Sequence, residues 1–406
     1  MSRIEFPTAD QGCYELAAHP DARVLLFSER NFRLPKFQVP QYEWEDVIAE
    51  VDRVRMIAPR RNSRNELHEL AQRGGNALRE LVGSTKEWPV DETEIDGEYD
   101  LFFAVFHFPH SLAFLDKIPG WRKRCKKAVA YVVEMWSPEI RFNLKYLRML
   151  DQFDQVFLFN GRSIENVAPH TDAPLAFLPL AADAIKFCPY PRLPERTIDV
   201  YSVGRRSPST HDALLRMAER DELFYLYDTI DGQIYDYRSH RLLQANFAKR
   251  SRYFVAYRIN EQRRSLTGGE EGLATRWFEG TAGGAVLIGS APRCPEYDEC
   301  FDWPDATIEI PYETTDVRRV LAALDAEPER LAAASRNNVL NALRRHDWLY
   351  RWERVLDSVG LPHTAAMRAR RRRLDALAAG VSGEPVLPDD SPVGSAPVGS
   401  AEATVA

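Results

Sequence analysis

The chain has 406 residues, 45% of them hydrophobic and 28% charged, and a formal net charge of −7. A chain of this length is expected to form two domains of about 150–200 residues, each with its own core. The negative charge argues against a general nucleic-acid binder, because affinity for a duplex depends on Lys and Arg that neutralise phosphates. There is no uncharged apolar run of about 18 residues that would predict a spanning helix. The Asp, Glu and Pro residues near the start argue against a signal peptide.

The cysteines and histidines predict neither a disulfide framework nor a metal site. The five cysteines are odd in number and scattered, so we interpret them as reduced thiols and expect a cytoplasmic protein. The nine histidines form no HxxxH or HExxH pattern, and we expect no obligatory metal and no other cofactor. The cysteines are Cys13, Cys125, Cys188, Cys294 and Cys300.

Short runs rich in β-branched and aromatic residues alternate with helical stretches along the chain. The runs are almost continuously hydrophobic, which is typical of strands buried on both faces of a parallel sheet. The predicted strands are VLLF (24–27), DLFFAV (100–105), AVAYVV (128–133), QVFLF (155–159), LAFLP (175–179), IDVYSV (198–203), LFYLY (223–227), YFVAY (253–257), AVLI (285–288) and TIEI (307–310).

The proline-rich segment CPYPRLPE (188–195) lies between the fifth and the sixth predicted strand. Strands that alternate with helices form an open α/β sheet. We therefore predict two doubly wound, Rossmann-like domains, at 1–190 and 191–345, that face a cleft. Ligands of such sheets bind beyond the carboxyl ends of the strands, and two facing domains would enclose one between them.

The C-terminal part of the chain is predicted to be helical and then disordered. The pattern of TTDVRRVLAALD (314–325) predicts an amphipathic helix capped by Thr. A second helix is predicted over 327–360, since it starts at a proline and ends at Gly360. Closing helices are expected over 346–374. The segment 375–406 is small, polar and rich in Pro, Gly and Ser, which predicts a disordered tail.

Two basic runs stand out, GWRKRCKK (120–127) and RARRRR (368–373). Such runs are usually the solvated faces of helices. For 120–127 the alternative is peripheral contact with an anionic membrane surface, because Trp121 lies beside the cluster.

The stretch EGLATRWFEGTAGGAVLIG (271–289) places Glu271 and Glu279 eight positions apart, before a small-residue run and an apolar strand. This pattern resembles the E-x7-E signature of retaining glycosyltransferases with the GT-B fold, and among them the group-1 branch of the spore-maturation type. The resemblance covers about 100–360. Three further stretches are similar to family segments in the expected order: LAFLPLAADAIKFCPYP (175–191), IDVYSVGRRS (198–207) and HDWLYRWERVL (346–356).

The resemblance implies a role for each carboxylate. A carboxylate can accept both protons of a vicinal diol at once, so Glu279 is expected to bind the ribose of a nucleotide sugar. Glu271 would accept hydrogen bonds from the donor sugar. The loop at 267–269 and a helix beginning near Thr275 would direct backbone N–H groups at the diphosphate. The small residues at 280–284 would let this helix pack closely on the next strand.

The Gly-Arg turn supplies the candidate phosphate ligands. Arg205 is the first candidate, because a guanidinium binds phosphate oxygens in a bidentate way, and Arg206 is the second. The family often has Lys six residues after this Arg, where this chain has His211. Either His211 contacts phosphate, or Lys249 or Arg250 does so, or His211 is an ordinary residue at a helix N-terminus.

The first domain should present a group to the donor sugar. His107 and His110 follow the strand DLFFAV, and Glu134 follows the next strand. Any of the three could contact the sugar. The glycine-rich acceptor loop of the family is missing, since VLLFSERNFRLP (24–35) contains no glycine.

These inferences lead to one leading hypothesis, a glycosyltransferase that moves a sugar from a nucleotide donor to an unidentified acceptor hydroxyl, with retention of configuration. The alternatives are a nucleotide-sugar epimerase or hydrolase of the same fold, and a non-catalytic protein that binds nucleotide sugars. The expected catalytic residues are Glu271, Arg205 and His107, and the expected donor-binding residues are Glu279, Gly204, Arg206, His211, Lys249, Gly272, Leu273 and Arg276.

Overall fold

The structure is a computed structural model that describes residues 16–30, 32, 35–59, 88–229, 232, 234 and 236–383, except for two side chains at 260 and 262. Cys13 and the residues beyond 383 lie outside this part of the chain. The four other cysteines are buried free thiols.

The first unit is a parallel sheet with its connecting helices. The strands are β1 (Val24–Phe27), β2 (Val54–Ile57), β3 (Tyr99–Phe106), β4 (Cys125–Val132), β5 (Gln155–Leu158) and β6 (Leu175–Phe177), in the order β2-β1-β3-β4-β5-β6. The α-helices are α1 (Val39–Val51), α2 (Ser137–Leu147), α3 (Ser163–Val167) and α4 (Ala184–Phe187). Short 3-10 helices occupy Lys36–Gln38, Pro109–Lys117, Trp121–Arg124, Arg148–Gln152 and Ala168–His170.

The second unit is a smaller parallel sheet. Its strands are β7 (Ile198–Ser202), β8 (Tyr225–Tyr227), β9 (Ser251–Tyr257), β10 (Val286–Ser290) and β11 (Ile308–Glu309), in the order β11-β10-β9-β7-β8. The helices are α5 (Pro208–Ala218), α6 (Tyr237–Arg250), α7 (Asn260–Thr267), α8 (Thr275–Ala282), α9 (Pro295–Cys300), α10 (Val317–Asp325) and α11 (Pro328–Arg345). The closing helices are α12 (Trp348–Ser358) and α13 (Ala365–Ser382).

The two parallel sheets confirm the predicted α/β fold with two doubly wound units. In β1 and β3, successive side chains enter different cores: Leu26 and Phe103 lie in one, Phe27 and Phe102 in the other. Because both faces are covered, the strands are apolar at nearly every position. All ten predicted strands are present. Among the described residues, the one strand that was missed is β2, whose second residue, Arg55, is only half-buried.

One core joins the two units. The cluster that contains Leu26 also contains Phe254 and Leu287 of the second sheet and Trp348 of α12. The rings of Trp348 and Trp44 stack with centroids 5.2 Å apart. The closing helices therefore cross from the second unit back to the first and pack on α1.

The C-terminal helices differ from the prediction at three points. The helix at 314–325 begins at Val317 and is capped by Asp316 rather than by Thr. The helix predicted over 327–360 is two helices, because Asp347 accepts from the Leu349 N–H and starts α12. Helix α13 continues to Ser382, so the residues from 375 to 382 are helical and not a tail.

The basic run at 120–127 combines exposed basic side chains with a buried tryptophan. The Trp121 ring is 4% exposed and lies 4.3 Å from the Phe102 ring, centroid to centroid. Lys126 pairs with Asp100, and Arg122 pairs with Asp154. The alternative of a membrane contact therefore loses the support of Trp121, because the indole belongs to the core.

The run at 368–373 is only partly a solvated face. Arg370 is 6% exposed and donates hydrogen bonds to Asp183 and Asp347, which fix α13 to the rest of the protein. Among the described residues, no helix is both long enough and apolar enough to cross a membrane.

Candidate active site between the two units

The candidate site lies where the carboxyl ends of strands from both sheets meet. Glu134 follows β4 of the first unit, and Arg205 follows β7 of the second. The two side chains are close enough to change each other's pKa. The loop before α8 also touches the first unit, since the Ser137 N–H donates to Glu270 over 3.2 Å. The groups predicted on separate sheets therefore lie together where the two units meet, and we call this junction the cleft.

Two arginines of the second unit form the cationic part of the site. Arg276, in the first turn of α8, is 8% exposed and donates to the backbone carbonyl of Arg205 over 3.1 Å. Burial, and then the neighbouring Arg205, lowers the pKa of Arg276. Burial likewise lowers the pKa of Arg205; Glu134 opposes this effect and Arg263 adds to it. Both guanidinium groups stay charged at neutral pH, so the lowered pKa values express mainly the cost of removing each cation from water and, to a smaller extent, repulsion from a neighbouring arginine.

These cations lack matched carboxylates. Among the described residues, Arg205, Arg263 and Arg276 form no ion pair within 4.0 Å, and the Arg205 Nε is buried without a hydrogen-bond partner. Glu279 attracts Arg276 at longer range, and the anion near Arg205 is Glu134. Burial raises its pKa, while a hydrogen bond from the Trp136 indole and the charge of Arg205 oppose the rise. The cluster can therefore accept a negatively charged ligand.

Both glutamates of the E-x7-E pattern are buried at this cleft. Glu271 is 7% exposed and lies 3.9 Å from the Arg258 Nε. Glu279 is 5% exposed and accepts a hydrogen bond from Arg241. Arg241 also donates to Glu43 of α1 over 2.8 Å, so it holds Glu279 and the first unit together.

The first turn of helix α8 has no side-chain cap, and one face of the helix packs closely on the sheet. Its N-cap residue, Ala274, offers no side-chain hydrogen bond, which leaves the N–H groups of Thr275 and Arg276 for another acceptor, whereas the Trp277 N–H donates to the Ala274 carbonyl. A Cβ on Gly280 would lie 2.4 Å from Leu287 and 3.1 Å from Phe254, side chains of β10 and β9. The small residues at 280–284 therefore allow the close packing that was predicted, and Leu273 is buried before the helix.

Gly204, Arg206 and His211 make contacts with other residues near the turn after β7. The Gly204 N–H and the Arg206 guanidinium both contact the Asp228 carboxylate, at 3.0 and 3.2 Å. The His211 Nδ1 lies 2.8 Å from the Tyr225 hydroxyl, and burial lowers the pKa of this imidazole. These residues shape the turn after β7, and the structure gives them partners other than a ligand.

Lys249 and Arg250 lie at the amino end of β9, on the side of the sheet opposite to the carboxyl ends of the strands. Helix α6 ends at Arg250 and β9 starts at Ser251. Because the strands are parallel, the start of β9 is remote from the carboxyl end of β7, where Arg205 lies. The structure therefore does not bring Lys249 or Arg250 together with Arg205.

His107 lies in a buried polar cluster at the carboxyl ends of β1 and β3. Its Nδ1 hydrogen-bonds with the Gln41 amide, and burial lowers the pKa of the imidazole to about 3. The ring is therefore neutral. His110 instead stacks on Phe108, with centroids 5.2 Å apart.

Several residues of the site were not predicted from the sequence. Glu29 follows β1, is 6% exposed, and lies 3.4 Å from the His107 N–H. Its position directly after a buried strand was the available signal. Arg241, Glu43 and Glu270 lie within helices or a loop, and their partners are distant in the sequence. Among the described residues, no group of three or more His, Cys, Asp and Glu side chains could hold a metal ion.

The protein is therefore an α/β protein of two units, with a parallel sheet in each and two arginines, Arg205 and Arg276, close together where the units meet. Residues 235–357 match a family model described as "Glycosyl transferase-like". This segment contains α6, α8 and both glutamates of the E-x7-E pattern. No curated protein matches the chain in a sequence search.

Solved structures of glycosyltransferases are similar to the chain at low identity. One is an α-glucosyltransferase in complex with UDP and a 13-mer DNA containing a HMU base (9% identity, TM-score 0.48, 83% of this chain and 99% of that chain). Another is a glycosyltransferase from Rickettsia africae (9%, 0.43, 83% and 97%). A third is an α,α-trehalose 6-phosphate synthase from Burkholderia multivorans (10%, 0.41, 88% and 83%).

Proposed function

We propose that the protein is a glycosyltransferase that transfers a sugar from a nucleotide-sugar donor to an acceptor hydroxyl, with retention of configuration. The observation that supports this most directly is the pair of guanidinium groups of the half-buried Arg205 and the buried Arg276, beside the first turn of α8, which has no side-chain cap. The family match over 235–357 supports the same proposal.

The diphosphate of the donor fits the cationic part of the site. When the sugar leaves, negative charge develops on the diphosphate, and Arg205, Arg276 and the first-turn N–H groups of α8 are arranged to stabilise it. Fixed charges in a site that excludes water are often the largest contribution to catalysis. In this proposal the main work of the enzyme is stabilisation of the leaving group, and no metal is required.

The two glutamates orient the donor. Glu279 binds the ribose hydroxyls, and Arg241 holds its carboxylate in place through a buried contact. Glu271 accepts hydrogen bonds from the sugar, and His107, neutral because of its burial, lies in the first unit. We propose the cytoplasm as the location.

Nucleotide binding tests the role of the arginines. We would measure the thermal midpoint and the Kd with UDP-glucose, GDP-mannose, ADP-glucose and the corresponding nucleosides. For the donor that binds, Arg205→Gln and Arg276→Gln should each weaken affinity about 10- to 100-fold, since a hydrogen bond to a charged group contributes about 1.5–3 kcal/mol. Binding of the nucleoside alone should stay unchanged.

Arg250→Gln is the matched control, because Arg250 is an exposed arginine at the opposite edge of the same sheet. It should leave donor affinity unchanged. If none of the donors raises the midpoint, or if Arg205→Gln and Arg250→Gln behave alike, the proposal is wrong. Product stereochemistry, read by NMR of the anomeric proton, tests retention separately.

A further inference from the structure

Glu270, the neighbour of Glu271, makes a contact between the units that the proposed donor chemistry does not use. It is 7% exposed and lies in the loop that leads into α8. Its carboxylate points away from the second unit and into the first. The structure therefore places one glutamate of the pair Glu270–Glu271 in the first unit and the other beside Arg258.

Hydrogen-bond donors of the first unit surround this carboxylate, and they lie at the starts of α2 and α3 and in the loop after β5. The Ser137 N–H lies 3.2 Å and the Asn160 Nδ2 2.7 Å from the Glu270 Oε2. The Ser137 hydroxyl donates to the Oε1. The Ser163 hydroxyl lies 3.2 Å from the Oε2, and it can donate its single proton either to this oxygen or to the Met135 carbonyl.

The position of the donors suits an anion. Ser137 is the first residue of α2, so its N–H has no acceptor within the helix. The positive end of the helix dipole favours a carboxylate there. Asn160 is 2% exposed, so its amide would lose a hydrogen bond in a dry environment if Glu270 left, which is costly.

The loop around Glu270 fits the first unit closely. A Cβ on Gly268 would lie 2.7 Å from Pro138, and a Cβ on Gly272 would lie 2.6 Å from Phe159. The absence of side chains at 268 and 272 lets the backbone approach the first unit on both sides of Glu270.

We infer that Glu270 is a positioning residue. Its hydrogen bonds with Ser137, Asn160 and Ser163, which we call the clasp, hold the loop that carries Glu271 against the first unit and so fix the position of Glu271 for sugar transfer. The inference rests on the proposed function, because the clasp matters for catalysis only if Glu271 and α8 hold the donor. Displacement of reacting groups by about 1 Å can reduce a rate about 10²-fold. Loss of the clasp should therefore reduce turnover more than it reduces donor affinity.

Hydrogen exchange tests the clasp without reference to any activity. In the full-length protein, Glu270→Ala should speed amide exchange at Ser137, which is 133 positions away in sequence. Glu270→Gln should act in the same direction but less strongly, since one amide oxygen can still accept. Glu219→Gln, at an exposed glutamate of the second unit, is the control and should change nothing. Unchanged exchange at Ser137 in Glu270→Ala would overturn the clasp.

Kinetics then test positioning. With the donor that binds the wild type, Glu270→Ala should lower the rate of donor turnover about 10- to 100-fold and change its Kd less than about threefold. Asn160→Ala should have a smaller effect, and the double variant should lose less than the two single losses combined, because the partners act as one unit. A change in Kd with unaltered turnover would refute positioning. If no donor binds the wild type, the proposed function fails, and the exchange experiment alone decides whether the clasp exists.

Discussion

Glu29 gives the protein a pH-dependent stability that can be calculated from the structure. Burial raises the pKa of its carboxyl group from 4.5 to about 7; hydrogen bonds from Ser111, the His107 N–H and Gln38 oppose the rise, and Glu45 adds to it. The folded protein therefore holds a proton on Glu29 between these two pH values, whereas the unfolded chain does not. Stability from this group is complete below about pH 4.5 and is lost as the pH rises through about 7.

The magnitude follows from the two pKa values. Each pH unit between them changes the free energy of unfolding by about 1.4 kcal/mol, so the full loss is about 3 kcal/mol. Glu29→Gln removes the titration and keeps a neutral side chain of the same shape. The variant and the wild type should be similar in stability near pH 4.5. Above pH 7 the variant should be more stable by up to about 3 kcal/mol, or roughly 6–12 °C in the thermal midpoint of a unit of this size.

The assay is thermal unfolding of both proteins in a pH series from about 4.5 to 8.5. His107 titrates with the opposite sign, because its pKa is lowered by burial to about 3, but it is present in both proteins and cancels in the difference. Glu92→Gln, at an exposed glutamate of the first unit, should show no pH-dependent difference. A constant difference between Glu29→Gln and wild type across the series would refute the reasoning.

Three other substitutions test the packing around the cleft. Arg241→Met should lower stability by about 3–5 kcal/mol, measured as the unfolding midpoint, because it leaves buried carboxylates without their guanidinium; no loss would mean that this contact is not formed. Gly289→Ala should abolish soluble expression, since the new Cβ would lie 1.8 Å from the Ala256 carbonyl oxygen; a soluble variant with native circular dichroism would contradict the strand register. Gly272→Ala should keep native circular dichroism but increase the radius of gyration in X-ray scattering, because its Cβ would press on Phe159; an unchanged radius would count against the tight contact between the units.

The strands were predictable because their signal is local. From Leu101 and Ala128 onward, β3 and β4 are buried on both faces, and the continuous apolar sequence of these parts follows directly from that burial. β2 gave a weaker signal, since its four residues include a charged side chain. The break between α11 and α12 was harder to predict, because it depends on Asp347 capping α12 while it pairs with the distant Arg370.

The candidate site was predictable only in part, because some of its residues belong to a local pattern and others depend on contacts that are distant in sequence. The E-x7-E spacing and the Gly-Arg turn are patterns within one segment, and they led to Glu271, Glu279 and Arg205. The partner of Glu279 is Arg241, which in turn binds Glu43, 198 positions earlier in the chain. No periodicity in a single sequence shows which distant side chains will meet, so the contacts between the units appeared only in the structure.

The charged groups around the cleft are of two kinds, and the difference explains what the cleft can bind. Some are matched: Arg241 lies between two carboxylates, and Glu270 is surrounded by donors, so these contacts fix the units and need no ligand. The others are unmatched, since among the described residues Arg205 and Arg276 form no ion pair, and Glu134 and Glu279 attract them only at longer range. A protein keeps like charges buried together only if something else compensates for their repulsion. A diphosphate would do so with its own negative charge, and a neutral ligand would not.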